Sequence, residues 1–148
     1  MIFVCTGNIC RSPIAEYMLR EQLGPDSDWV VSSAGVMAGR GASASSLGVH
    51  VMQEVGVDMK DHVSSPMSQE LVDAASVIVV MAGAHAEQLE YLFPNSRDKI
   101  FLLKSFDSDA IESDLEDPIG ATVDVYRSVR EQIKRAMPGL IGFLNEQG

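Results

Sequence analysis

Four short segments rich in strand-forming residues constrain the fold of this chain more than any other feature. They span residues 1–5, 28–33, 77–82 and 100–103. The stretches between them carry apolar residues at helical spacing, and strands that alternate with helices form a parallel sheet with right-handed crossovers. We therefore predict an α/β fold over residues 1–148: a single-domain three-layer sandwich with a four-stranded parallel sheet, in the order 2-1-3-4, and helices on both faces.

The last helix of this fold is predicted from about Ala121 onward, because apolar residues recur there at helical spacing. Pro138 falls inside that pattern. A proline in a helix interior removes one hydrogen bond and clashes with the preceding turn. We expect the helix to kink or break near residue 137.

The first predicted strand leads into a loop that suits an anion. Residues 6–8 have the composition of a loop, and Ser12-Pro13 is a helix start. A loop that enters a helix N-terminus directs several unpaired N–H groups, and the positive end of the helix dipole, at one point. We expect a phosphate-like anion to bind at this point.

Two side chains at the ends of this loop add a reactive thiol and an anion-binding guanidinium to the site. Cys5 begins the loop and Arg11 ends it, in the pattern Cys-x5-Arg-Ser. Loop amides and a helix N-terminus favour the thiolate of a cysteine, and a guanidinium suits several phosphate oxygens. Cys5 is therefore expected to be the nucleophile, the alternative being a buried cysteine at the end of a core strand. For Cys10 we favour the buried, structural role.

The ten residues from Val4 to Pro13 resemble the signature of the low-molecular-weight protein tyrosine phosphatase family, which includes bacterial phosphoarginine phosphatases and has arsenate reductases as relatives. The resemblance implies that Cys5 forms a cysteinyl-phosphate intermediate and that Arg11 binds the phosphoryl oxygens. It implies that Asp117, in the only Asp-Pro pair, is the general acid and later the base. The remaining substrate-binding residues would be those of the loop: Thr6, Gly7, Asn8, Ile9, Cys10 and Ser12.

The same resemblance implies supporting residues outside the loop. Ser33, in a Ser-Ala-Gly turn, would support the loop, and His62 would hold its backbone through Asn8. Without the resemblance, Ser33 is an ordinary turn residue and His62 a lone histidine. Several members of the family join two cysteines at the positions of Cys5 and Cys10 in a protective disulfide, so the resemblance also implies redox regulation.

The substrate is predicted from the residues that would surround it. Ile9 resembles the tyrosine-specific loops, which carry an apolar residue there, whereas arginine phosphatases carry a threonine. The other motifs of the chain resemble those of the arginine phosphatases. Residues 36–46 also lack the aromatic residue that many family members use against the phosphotyrosyl ring. We favour phosphotyrosine, with protein arginine phosphatase as the alternative. Arsenate reduction is less favoured, because only Cys5 and Cys10 are present and an external thiol would be needed.

The composition of the chain excludes some classes of partner and indicates the compartment in which the protein acts. The net charge of −10 argues against nucleic acids and anionic membranes as partners, since both attract basic surfaces. Two cysteines and no apparent export signal indicate the cytoplasm. No cofactor or metal is expected, because the three histidines are scattered. The expected partners are a phosphorylated protein as substrate and inorganic phosphate as product.

Overall fold

The computed structural model describes residues 1–147, and Gly148, the last residue of the predicted domain, lies outside the described residues. The chain alternates strands with helices. In order, the elements are β1 (Ile2–Cys5), α1 (Arg11–Leu23), β2 (Ser32–Gly35), α2 (Ser46–Gln53), α3 (Gln69–Ala74), β3 (Ile78–Val80), α4 (Gly83–Leu92), β4 (Ile100–Leu102) and α5 (Val123–Gln147), with 3₁₀ helices at Pro94–Lys99 and Leu103–Phe106 on either side of β4.

The four strands form one parallel sheet in the order β2-β1-β3-β4. Ile2 of β1 pairs with Ser32 of β2 on one side and with Ile78 of β3 on the other. β4 continues the sheet beyond β3. The predicted parallel sheet and its strand order are confirmed.

Alternate residues of β1 contribute to two different cores. Phe3 and Cys5 pack with α1 and α5 on one face of the sheet. Ile2 and Val4 pack with side chains of α3 and α4 on the other face. This alternation follows from the two-residue period of a strand, and it produces the predicted three layers.

Two local predictions differ from the structure. The second strand is displaced from the predicted residues 28–33 to Ser32–Gly35, where its residues pair with Ile2–Cys5 of β1. The expected break near residue 137 does not occur, since α5 continues through Pro138. Met137 and Leu140 are both buried on either side of the proline, and this packing stabilises the helix across it.

The topology directs the carboxyl ends of β1 and β3 toward one edge of the sheet. The chain leaves β1 for β2 on one side, and β3 pairs with β1 on the other, so the connections diverge at this point. Ligands of open α/β sheets bind in the crevice at such a switch point. Cys5, the last residue of β1, lies there.

Candidate active site

The loop from Thr6 to Cys10 curls around the sulfur of Cys5. The residue with the unusual backbone conformation in this loop is Asn8. Asn8 is the one non-glycine residue with positive φ in residues 1–147, at 57°. Asparagine tolerates this left-handed conformation better than most residues. Its backbone N–H donates to Cys5 Sγ at 3.3 Å, and its carbonyl oxygen lies 2.8 Å from His62 Nε2. His62 therefore contacts the backbone at the strained residue.

The side chain of Asn8 is fully hydrogen-bonded beneath the loop. Its Nδ2 donates to Ser12 Oγ at 2.8 Å and to Ser33 Oγ at 2.9 Å. Its Oδ1 accepts from the backbone N–H of Ser65 at 2.9 Å. Asn8 is completely buried, so these bonds replace the water that it loses on folding. The loop is thus connected to α1, β2 and the segment after His62.

Gly35 allows the loop to lie against the end of β2. A Cβ atom at this position would be 2.5 Å from the Thr6 carbonyl oxygen and 3.0 Å from the Asn8 nitrogen. No side chain fits in that space without displacing loop backbone. The Ser-Ala-Gly sequence, predicted as a turn, therefore forms the end of β2, and its glycine has a steric role beside the loop.

Cys5 is 3% exposed, and its sulfur faces two polar groups. In addition to the Asn8 N–H, the Ser12 hydroxyl oxygen lies 2.9 Å from Cys5 Sγ. A Cys5 thiolate has no hydrogen to donate, so in that state the Ser12 hydroxyl donates to the sulfur while Ser12 Oγ accepts from Asn8 Nδ2. Both groups therefore stabilise negative charge on Cys5.

Arg11 lies at the start of α1, and its guanidinium is held across the site. Its Nη1 donates to the Leu115 carbonyl oxygen at 3.0 Å. Its Nη2 lies 3.5 Å from both Thr6 Oγ1 and Asp117 Oδ2. Arg11 is 5% exposed, so the loop that contains Leu115 and Asp117 covers it. The anchoring carbonyl of Leu115 is invisible to sequence reasoning, because a backbone acceptor has no residue signature.

Asp117 lies at the rim of the site. Its side chain is 44% exposed, and its Oδ1 accepts from the backbone N–H of Ile119 at 3.1 Å. A cavity of about 170 Å³ opens between this aspartate and the loop. Its lining residues are Cys5, Thr6, Gly7, Ile9, Cys10, Arg11, Asp117 and Ile119. The structure thus brings together the predicted nucleophile, arginine and acid around one small cavity.

Ser33 and His62, the predicted supporting residues, both contact Asn8. Ser33 also contacts the carboxylate of Glu16, a residue that the sequence analysis missed. Ser33 Oγ donates to Glu16 Oε1 at 2.5 Å. Glu16 is 5% exposed and forms an ion pair with Arg20, with Oε2 2.7 Å from Nη2. No pattern in the local sequence marks Glu16; only the fold shows that it is buried, and a buried carboxylate needs such partners.

His85 is a second residue that the sequence analysis missed. It lies in the first turn of α4, is 3% exposed, and approaches Thr6 Oγ1 with its Nε2 at 2.9 Å. Burial first, and the nearby charge of Arg11 second, lower the pKa of His85 to about 4. The ring is therefore neutral at pH 7. Nothing in the local sequence marks it, because its partner is 79 residues away.

Cys10 faces away from the polar network of Asn8. It is buried, and its sulfur lies 3.3 Å from the Tyr126 hydroxyl and 3.4 Å from Ser45 Oγ. Burial raises the pKa of the Cys10 thiol. Burial also raises the pKa of Tyr126 to about 12, so both groups keep their protons at neutral pH.

Within residues 1–147, no three His, Cys, Asp or Glu side chains are grouped so that they could hold a metal ion. No helix in the same range combines the length and the apolar character needed to cross a membrane.

Comparison with known proteins gives a consistent result over the whole chain. The family model for low molecular weight phosphotyrosine protein phosphatase matches residues 1–148. A protein-arginine-phosphatase of Geobacillus stearothermophilus is 37% identical over 134 residues, which cover 90% of this chain and 88% of that protein.

Solved structures give the same family. A low molecular weight protein tyrosine phosphatase from T. tengcongensis is 38% identical, with a TM-score of 0.88 over 95% of this chain and 96% of that one. The arginine phosphatase YwlE, solved as a cysteine-to-serine mutant with a phosphorylated active-site serine, is 32% identical, with a TM-score of 0.90 over 97% of this chain and 94% of that one. The chain belongs to the low-molecular-weight protein tyrosine phosphatase family.

Proposed function

We propose that residues 1–148 form one phosphatase domain that hydrolyses phosphotyrosine in proteins through a cysteinyl-phosphate intermediate. The observation that carries this proposal is the cavity in which the Cys5 sulfur, the Arg11 guanidinium and the Asp117 carboxyl group meet. Nucleophile, anion clamp and acid are the three groups that this hydrolysis needs. The phosphorylated serine in the YwlE mutant supports a covalent intermediate for the family.

In the first step the Cys5 thiolate attacks phosphorus. An S–P bond forms, the P–O bond to the tyrosine breaks, and the protonated Asp117 gives its proton to the leaving oxygen. In the second step Asp117 takes a proton from water, whose oxygen attacks phosphorus. The S–P bond breaks, inorganic phosphate leaves, and the Cys5 thiolate is restored.

The loop supplies the contacts that hold the phosphoryl group. Arg11 and the backbone amides of Thr6, Gly7, Asn8, Ile9 and Cys10 bind its oxygens. Ser12 donates to the Cys5 sulfur and stabilises it as the leaving thiolate of the second step, which its 2.9 Å distance supports. Ser33 and His62 keep Asn8, and with it the loop, in the anion-binding shape, as their bonds to Asn8 support.

Phosphotyrosine is favoured by the apolar side chains around the cavity. Ile9 and Ile119 line it, and Ile119 is 54% exposed at its mouth. An aromatic ring gains from apolar walls, whereas a guanidinium group needs hydrogen-bond acceptors that isoleucine lacks. The alternative, protein arginine phosphatase, is favoured by the 37% identity with the Geobacillus stearothermophilus enzyme.

The experiment that decides between these two substrates uses one peptide sequence that carries either phosphotyrosine or phosphoarginine. We expect the reduced protein to show the higher kcat/KM on phosphotyrosine. A higher kcat/KM on phosphoarginine would contradict the substrate proposal but leave the cysteine mechanism in place. Loss of all turnover in Cys5→Ser is expected for both peptides, and turnover at the wild-type rate would contradict the mechanism.

The proposed site of action is the cytoplasm, where a reducing environment keeps both cysteines as thiols. A phosphorylated protein is the substrate, inorganic phosphate is the product, and no cofactor is required. The net charge of −10 supports the proposal that neither nucleic acid nor an anionic membrane is a partner.

Redox regulation is proposed for the pair Cys5 and Cys10. Peroxide would oxidise the Cys5 thiolate to a sulfenic acid, and the Cys10 sulfur would attack it, forming an S–S bond and releasing water. Because burial raises the pKa of the Cys10 thiol, Cys10 keeps its proton in the reduced protein. Mass spectrometry after mild peroxide should show a loss of two hydrogens in the wild type. Sulfinic acid at Cys5, expected in Cys10→Ser, would contradict the proposal if it were the main product of the wild type.

A further inference from the structure

His85 is a buried titratable residue beside the cavity that the proposed mechanism does not use. It follows β3 in the first turn of α4, and its backbone N–H donates to the Ala82 carbonyl oxygen at 3.1 Å. Its ring reaches the catalytic loop at a single point, with Nε2 2.9 Å from Thr6 Oγ1. Thr6 in turn lines the cavity next to Cys5.

The two ring nitrogens of His85 have different surroundings. Nε2 has Thr6 as its partner, whereas Nδ1 is buried without a hydrogen-bond partner within the described part of the chain. The neutral ring carries one proton. An orphaned buried N–H group is rarer in proteins than an under-satisfied acceptor. The proton therefore belongs on Nε2, which donates to Thr6 Oγ1, and Nδ1 keeps its lone pair.

Arg11 contributes a second donor to the same hydroxyl oxygen. Its Nη2 lies 3.5 Å from Thr6 Oγ1. A hydroxyl group has two acceptor positions and one hydrogen to donate. With both acceptor positions occupied by His85 and Arg11, the hydrogen of Thr6 is left for a third direction. Thr6 is among the residues that line the cavity, so an anion bound there is the acceptor that we consider for this hydrogen.

We propose that His85 is a positioning residue: it donates from Nε2 to Thr6 and thereby commits the Thr6 hydroxyl to donate a hydrogen bond to a phosphoryl oxygen held above Cys5. Ser12 has a related role: its Oγ accepts from Asn8 Nδ2 and, when Cys5 is a thiolate, its hydroxyl donates to the sulfur. One hydroxyl thus serves the nucleophile and the other serves the anion. The identity of the anion as a phosphoryl group rests on the proposed function.

The opposite tautomer would give Thr6 the opposite role. If Nδ1 carried the proton, Nε2 would accept the Thr6 hydrogen, and Thr6 would present a lone pair to the cavity. A lone pair repels a phosphoryl oxygen, whereas a donor attracts it. The position of one proton on His85 therefore decides whether Thr6 helps or hinders anion binding.

The first test determines directly which ring nitrogen of His85 carries the proton in the wild-type protein. Two-bond ¹H–¹⁵N correlation spectra of the ¹⁵N-labelled protein at pH 7, compared with those of His85→Gln to assign the ring, distinguish the tautomers. We expect the protonated nitrogen of His85 to be Nε2. Protonation at Nδ1 would overturn the proposal, whatever the activity of the protein.

The second test uses inorganic phosphate as the probe, so it does not depend on turnover. Thr6→Val should raise the phosphate Kd by roughly tenfold or more, since a hydrogen bond to a charged group is lost. Thr6→Ser, which retains the hydroxyl, should bind phosphate within about threefold of the wild type. Equal phosphate binding by wild type and Thr6→Val would overturn the proposal.

Variants of His85 test whether it acts through Thr6. The side-chain amide of Gln reaches the position of Nε2, so His85→Gln should bind phosphate more tightly than His85→Leu. In the Thr6→Val background, His85→Leu should cause no further rise in Kd, because the hydroxyl that it orients is gone. Independent, multiplying effects of the two changes would overturn the proposal. His50→Leu, at a histidine on α2, is the matched control.

Failure of the proposed function gives a different pattern. If neither phosphopeptide is hydrolysed but His85 carries its proton on Nε2 and the phosphate affinities follow the expected order, the inference stands and the phosphatase proposal fails. If a peptide is hydrolysed but Thr6→Val and His85→Leu change neither phosphate Kd nor kcat/KM, the inference fails and the phosphatase proposal stands.

Discussion

Arg11 Nη2 and Asp117 Oδ2 lie 3.5 Å apart at the mouth of the cavity. The arginine comes from the first residue of α1 and the aspartate from the loop before α5, so the contact joins distant parts of the chain. The same guanidinium is bound to the Leu115 carbonyl oxygen. The proposed phosphoryl clamp, Arg11, and the proposed general acid, Asp117, are therefore in direct contact, and the bond to Leu115 fixes the guanidinium in place.

Asp117→Asn should slow turnover by about 10²–10⁴-fold, because the asparagine amide neither protonates the leaving tyrosine nor activates water. The variant should still form the cysteinyl-phosphate. Rapid-quench mass spectrometry should show a phosphoryl group on Cys5 before phosphate is released. Glu116→Gln, the adjacent exposed carboxylate, is the control and should turn over like the wild type. Wild-type turnover by Asp117→Asn would exclude Asp117 as the acid.

The sequence was sufficient to predict the parts of the site that are continuous in the chain. Residues 5–12 contain both the sulfur and the guanidinium, and the strand, loop and helix that hold them follow one another directly. The alternation of strands and helices likewise predicted a parallel sheet, since parallel strands need crossover connections. Local pattern and fold agree in this region, so sequence reasoning succeeds there.

Other parts of the site depend on tertiary contacts that leave no local pattern. His85 meets Thr6 across 79 positions, and Arg11 meets the Leu115 carbonyl across 104. The limits of β2 are likewise set by its pairing with β1, about 30 positions away, rather than by its own sequence. Packing of α5 across Pro138 also opposed the local rule. In each case the partner is distant, and the residue itself is ordinary for its segment.

Glu16→Ala should lower the free energy of unfolding by about 1–3 kcal/mol, since it removes the acceptor of a buried hydroxyl. Ser33 Oγ would lose its bond to Glu16 Oε1, and Arg20 would lose its ion pair. Urea unfolding measures the change. Glu21→Ala, at an exposed position of the same helix, is the control and should change stability by less than about 0.5 kcal/mol. Equal stabilities of the two variants would show that the buried carboxylate contributes nothing.

Ile9→Thr should shift selectivity away from phosphotyrosine. Loss of apolar contact in the cavity should lower kcat/KM on the phosphotyrosine peptide by roughly 10–200-fold, and the new hydroxyl gives a guanidinium group an acceptor. The measurement is the ratio of kcat/KM for the two twin peptides. Ile9→Val, which keeps an apolar side chain of nearly the same shape, is the matched control. An unchanged ratio in Ile9→Thr would mean that Ile9 does not select the substrate.

The depressed pKa of His85 predicts an acid-sensitive stability. In the folded protein the pKa is about 4, below the ordinary value of 6.5, so the unfolded chain binds the proton first as the pH falls. The contribution of the neutral ring to stability is therefore fully present above about pH 6.5 and is lost progressively as the pH falls toward 4. Urea unfolding of the wild type at pH 7, 5.5 and 4.5 should show this decline.

His85→Gln should flatten that decline between pH 6.5 and 4, because glutamine binds no proton in either state. The carboxylates titrate in both proteins, so their contribution cancels in the difference between wild type and variant. His50→Gln, at a histidine whose side chain is 55% exposed, controls for the replacement of a histidine elsewhere in the protein. A slope for His85→Gln as steep as that of the wild type would mean that His85 is protonated in the folded protein at these pH values.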